Sequence, residues 1–173
     1  NGDLLRTLPI TTGKPGFTTR SGTKVIMEKF DERRMNSETE GMNRNSPEAY
    51  DIDDVQWAMR VTNSGEFIHA APWSVGSQGR ANVSHGCTNI SAANAEWLYK
   101  ITQIGDPVIV KNTEEKVTWG DGWTDWSRPW EEYERRMRIF AVTETDAHLR
   151  LLAGRGLVRT TGGPVPTWTL AVR

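Results

Sequence analysis

The shortness of the apolar runs constrains this fold most. LLRTLPITTG (4–13), GTKVIME (22–28), DVQWAMRV (54–61), GEFIHAAP (65–72) and DPVIVKN (106–112) are β-rich runs of ten residues or fewer. Turn formers separate them, as in KPGFTTRS (14–21) and TNSG (62–65). Each reads as a short strand. In GEFIHAAP, strand alternation puts Phe67 and His69 on one face and Ile68 on the other.

The clearest helix is SAANAEWLYKITQIG (91–105). Ser91 is its predicted N-cap, and Trp97, Leu98, Ile101 and Ile104 form an apolar stripe. Gly105 is the expected stop. RPWEEYERRMRIF (128–140) is expected to be helical, with Pro129 at its first position. Beyond Ala141, TETDAHLRLLAG reads as a short capped helix, and RGLVRTTGGPVPTWTLAV as strand, turn, strand. Residues 29–50 are polar and lack a sustained period. Both a lid over a site and a solvated hairpin without a role fit them.

Charge excludes some functions. The chain has 173 residues, with 21 Lys plus Arg against 22 Asp plus Glu. No field of one sign is available to draw in nucleic acid or an anionic membrane. No apolar run reaches the roughly 20 residues of a spanning helix. Any membrane anchor is expected to lie outside this sequence. Eight tryptophans are many for this length. Four of them, Trp119, Trp123, Trp126 and Trp130, fall among Gly120, Gly122 and Pro129, which break any helix there. They are expected to pack a loop onto the body, with an aromatic wall beside a groove as the alternative.

The chemistry centres on Ser84-His85-Gly86-Cys87-Thr88-Asn89, which holds the single cysteine and one of three histidines. A thiolate is the reactive form of cysteine, and a helix N-terminus or a histidine lowers its pKa. The helix capped by Ser91 begins shortly after Cys87, so it is expected to assist. His148 has no motif around it and reads as surface. His85 is too close in sequence for easy direct contact. His69, on a strand, can face a loop nucleophile, so it is the expected base and His85 shapes the turn. Gly86 permits a sharp turn, with backbone N–H groups turned toward a reacting carbonyl. Asn89 can bond the turn or the substrate. Plain alternatives remain: Cys87 as a small buried hydrophobe, His69 as a satisfied core group, or Cys87, His69 and His85 as zinc ligands. No Cys-x-x-Cys or His-Glu-x-x-His accompanies the zinc reading.

His69, fourteen residues, then Ser-His-Gly-Cys-x-Asn closely resembles the signature of the L,D-transpeptidase family, the YkuD-type enzymes. The flanks TRSGTKVIMEK, AYDIDDVQWAMRV and DGWTDWSRPWEEY are similar to the mycobacterial and actinobacterial branch, over roughly Leu4 to Arg136. The resemblance implies a mainly β fold with a few helices, a YkuD-type β-barrel or sandwich with a helix after the cysteine. The catalytic domain would cover 1–138, with a lid at about 29–50 and a Trp-rich segment at 119–138; residues 139–173 depart from the family's pattern and read as a C-terminal extension of unknown role.

It further implies acyl transfer between peptidoglycan stem peptides outside the cytoplasm, giving 3→3 cross-links through a Cys87 thioester with release of D-Ala. No cofactor is implied, and carbapenems would act as covalent inhibitors. The implied site is Cys87, His69, His85, Gly86 and Ser84, with Tyr50, Ser64, Gly65, Asn89 and Met27 at the substrate. The Ala70 carbonyl would orient His69. The alternatives are a non-catalytic peptidoglycan-binding module and L,D-carboxypeptidase-type hydrolysis of the same thioester.

Overall fold

The computed structural model describes residues 3–155, 158–160 and 168–170. It divides into two compact units, residues 1–127 and 128–173.

In the first unit, a four-stranded sheet runs in the order β2 (Glu28–Asn36), β3 (Asp51–Arg60), β4 (Phe67–Ala70), β5 (Thr88–Ile90). The β2–β3 and β3–β4 pairs are antiparallel, whereas β4 and β5 run parallel. A second, two-stranded sheet pairs β1 (Gly22–Val25) with β6 (Pro107–Val110). The mainly β expectation therefore holds. The run 4–13 is not a strand. Only Thr11 and Gly13 form isolated bridges, to Asn89 and Ser84, and Leu4 and Leu5 are exposed. Their side chains find no apolar partner face, so propensity alone does not order them.

Register explains where the site falls. Met59 lies opposite Ile68, and Ala70 opposite Ile90, so these residues share one face with Val61. That face is the core, joined by Ile26 and Ala95. Each large aliphatic buried there contributes about 1.5–3 kcal/mol. Helix α1 (Ala92–Ile101) covers this face through Ala92, Ala95, Leu98 and Tyr99. The fully buried Ala95 has no bulk to hold helix and sheet apart. Ser91 caps the helix by accepting from Asn94 N at 3.4 Å.

The predicted stripe needs correction. The helix ends at Thr102, and Ile101 and Ile104 are exposed. Lys29 Nζ donates to the Thr102 carbonyl at 2.5 Å, which satisfies the helix end three residues before the expected glycine. The opposite face of the sheet carries Arg60, Phe67, His69 and Asn89, with Arg60 opposite Phe67 and His69 opposite Asn89.

The polar stretch 29–50 is mostly a hairpin arm. Its first residues form β2, nine residues long, and a 3-10 turn at Ser37–Glu40 leads into the loop before β3. A register shift between Arg33 and Met35 bends this arm. The Trp-rich segment docks chiefly by polar contacts. Trp126 Nε1 donates to the Thr23 carbonyl at 2.9 Å, and Asp121 accepts from Ser64 N at 2.8 Å and Ser64 Oγ at 2.7 Å. Trp123 and Trp126 stay exposed.

In the second unit, α2 (Trp130–Gly154) is one helix of 25 residues where two shorter ones are expected. No Gly or Pro interrupts it before Gly154, and Glu131 and Glu132 suit its N-terminal turn. It runs through residue 138, and the two compact units divide after Ser127. Strands β7 (Val158–Thr160) and β8 (Trp168–Leu170) pair antiparallel, as the strand, turn, strand reading expects. The connecting turn and the His148 side chain lie outside the described residues.

Candidate active site

Cys87 immediately precedes β5, so it sits at the end of a strand rather than at a helix start. Three extended residues separate it from Ser91, a span of about 13 Å at strand rise. The expected assistance from the α1 dipole therefore does not reach the thiol, because that effect fades within one turn. Alternation along β5 puts Cys87 on the side of Asn89, and Asn89 lies beside His69. His69 and Cys87 both line one cavity of about 330 Å³.

The turn before Cys87 is held by side chains. Ser84 Oγ donates to the Cys87 carbonyl at 2.6 Å and accepts from Gly86 N at 3.2 Å. Thr19 Oγ1 donates to the Gly86 carbonyl at 2.7 Å. Gly86 has φ +115°, a conformation that only glycine adopts cheaply. A Cβ there would still find space, 3.7 Å from Glu66 Cγ, so backbone conformation sets the requirement for glycine. The Gly86 N–H is already committed to Ser84. The Cys87 thiol itself donates toward the Gly65 carbonyl at 3.7 Å.

His69 is almost wholly buried, and its Nδ1 lies 2.8 Å from the Ala70 carbonyl. A carbonyl only accepts, so Nδ1 carries the proton and Nε2 keeps its lone pair. Burial pushes the imidazole pKa down to about 4, against a smaller opposing effect of the Ala70 bond. The ring is therefore neutral near pH 7, with Nε2 as its basic atom.

His85 has a different environment. Its Nε2 meets Glu48 Oε2 at 2.9 Å, with Phe17 edge-on at 4.6 Å and Tyr50 tilted against it at 5.1 Å between ring centroids. Lys14 also pairs with Glu48. Lys14 first, then His85, hold the Glu48 carboxyl below the usual carboxylate range. His85 thus ties the hairpin tip to the turn before Cys87. Glu48 was not singled out by sequence reasoning, since one carboxylate in a polar stretch carries no signal.

Other expected residues separate. Tyr50 and Asn89 line the cavity, and Asn89 Nδ2 donates to Ser74 Oγ at 3.4 Å. Ser64 anchors Asp121. Met27 is a correction: it is buried beneath Gly122, where a Cβ would come within 2.8 Å of its Sδ, and it does not line the cavity. Met35, Ile52, Trp73 and Val83 supply the apolar lining instead. Period-two reading of β2 would have found Met35 only with the bulge known. Among the described residues, no three metal-capable side chains come together.

A buried, neutral histidine and a turn-held cysteine thus share one cavity on a small, mainly β unit. Comparison identifies the family. The family model "YkuD: L,D-transpeptidase catalytic domain" matches residues 1–110, and the chain belongs to that family. It is 41% identical over 134 residues to L,D-transpeptidase 2 of Mycobacterium tuberculosis, covering 77% of this chain and 33% of the relative. A solved L,D-transpeptidase from Mycobacterium smegmatis matches at TM-score 0.61 and 48% identity, over 64% of this chain and 51% of that one. The solved LD transpeptidase LdtMt1 in complex with imipenem matches at TM-score 0.63 and 46% identity, with the same coverages. The chain thus spans a third to a half of the length of these relatives.

Proposed function

We propose that this chain transfers acyl groups between peptidoglycan stem peptides, with Cys87 as nucleophile and His69 as base. The observation that carries the reading is the neutral His69, its Nε2 lone pair available, in the cavity that Cys87 lines. In the first step, Nε2 takes the thiol proton and sulfur attacks the carbonyl of the third stem residue. The C–N bond to D-Ala breaks, its amine takes the proton, and a thioester remains. In the second step, the side-chain amine of another stem attacks the thioester carbonyl. His69 accepts its proton and returns it to the leaving thiolate.

The apolar lining from Met35, Ile52, Trp73 and Val83 suits the aliphatic part of a stem, and it excludes water that would hydrolyse the thioester. His85 contributes by position, since its Nε2 is engaged by Glu48. The hairpin tip carrying Glu48 and Tyr50 acts as the lid of the site. Such a substrate places the action at the cell wall, outside the plasma membrane. No described helix is long and apolar enough to cross a membrane. Carbapenems, which present a strained acyl group, would trap Cys87.

Incubation with a disaccharide tetrapeptide, followed by mass analysis of products, tests the reading. A 3→3 dimer formed by wild type and absent with Cys87→Ala supports transfer. A trimmed monomer alone would identify a hydrolase, and unchanged substrate would identify a binding module.

A further inference from the structure

A second cavity, about 360 Å³, opens on the sheet face that carries His69, and it has an unusual charge. Three guanidinium groups line it, from Arg33, Arg34 and Arg60, and no carboxylate does. Phe67 forms its floor, buried and directly opposite Arg60 in register. Arg60 lies over the Phe67 ring at 4.7 Å from its centroid, and Arg33 lies over the same ring at 5.3 Å and over Phe30 at 4.4 Å. Two like charges thus share one aromatic ring.

Their neutralisation is unequal. Arg34 is 60% exposed and pairs with Asp51 and Asp53. Arg60 meets the Glu28 carboxylate at 2.7 Å. Arg33 has no ion pair among the described residues, although it is only partly exposed. Its stacking fixes the guanidinium in advance, so little side-chain freedom is lost when an anion arrives. The cavity also adjoins the reactive turn. Ser64 and Gly65 form its wall, and the Gly65 carbonyl receives the Cys87 thiol at 3.7 Å. Met35 lines both this cavity and the one that holds His69 and Cys87.

We propose that this cavity seats a carboxylate of the stem peptide, with Arg33 as its fork-shaped partner and Arg60 beside it. The inference rests on the stem-peptide reading given above. A stem offers two such groups: the C-terminal carboxylate of the donor's leaving residue, and the free carboxylate of the acceptor. The chemistry of the seat is the same for both. An apolar cavity receives the reacting acyl group, and the cationic one holds the peptide's charge, which sets its direction across Cys87.

The test measures KM for donor and acceptor peptides, each as free carboxylate and as carboxamide, with wild type, Arg33→Gln and Arg33→Lys. Thermal unfolding of each variant establishes that it is folded. For wild type, amidation of the seated carboxylate is expected to raise KM roughly ten- to hundred-fold, the effect of one charge-assisted pair. For Arg33→Gln the free acid is expected to fall to the carboxamide's level, and Arg33→Lys to recover part of the difference. An effect confined to the donor, or to the acceptor, identifies which carboxylate is bound, and either supports the seat. An amidation penalty of equal size in wild type and folded Arg33→Gln would overturn it. Absence of turnover by wild type on every peptide would instead overturn the stem-peptide reading, and the seat with it.

Discussion

Lowering the pH probes His69 directly. An ordinary histidine titrates at 6.5, whereas burial holds His69 at about 4. Between those values the unfolded chain takes up a proton at residue 69 and the folded chain does not. Stability from this residue is therefore complete above about pH 6.5 and is lost as pH falls toward 4. At 1.36 kcal/mol for each pH unit, the full loss is about 3 kcal/mol. Paired carboxylates such as Glu48, held below the usual carboxylate range, also contribute stability that is lost as the pH falls, so the wild-type curve alone is not diagnostic. His69→Gln cannot titrate and leaves the other groups in place. Urea unfolding of both proteins, at about pH 7.5 and about pH 4, isolates the term. Wild type is expected to lose about 3 kcal/mol more than His69→Gln over that interval. An equal loss in the two proteins would mean that the imidazole titrates normally. The claim that burial lowers the His69 pKa would then be wrong.

Two further predictions concern the support of the turn before Cys87. Lys24 is fully buried and pairs with the buried Glu66. Lys24→Met leaves that carboxylate the Arg20 backbone N–H at 3.0 Å and the Arg20 guanidinium at 3.8 Å but no buried partner charge, and should cost about 3 kcal/mol in denaturant unfolding. Adding Glu66→Leu should restore most of it; no restoration would show that the charge was not the cause. Thr19→Val removes the hydroxyl that donates to the Gly86 carbonyl and accepts from Gly13 N at 2.9 Å. It should lower stability by about 1–3 kcal/mol and slow acylation of Cys87, and unchanged values of both would contradict the account of the turn.

Much of the site was legible because it rests on short-range rules. Alternation in GEFIHAAP separated His69 from Ile68, and the parallel β4–β5 register carries the same rule to Asn89 and Cys87. Ser91 capped its helix as its side chain requires. What failed depended on long-range geometry. The distance from Cys87 to α1 was hidden because three residues gave no sign of forming a strand. Met35 replaced Met27 in the lining because a bulge in β2 and the loop at Gly122 decide which methionine faces the cavity. The Glu48–His85 contact joins residues 37 apart, and no local pattern encodes it. Helix α2 outran its expected end because TETDAHLRLLAG reads as a separate capped helix, although nothing in it breaks the first.

The central claim is that Cys87 is an activated nucleophile served by His69. Intact-protein mass after exposure to imipenem tests it most directly, with wild type compared to Cys87→Ala. The account predicts one stoichiometric adduct on wild type and none on Cys87→Ala. No adduct on folded, reduced wild type, or the same adduct on both proteins, would contradict it.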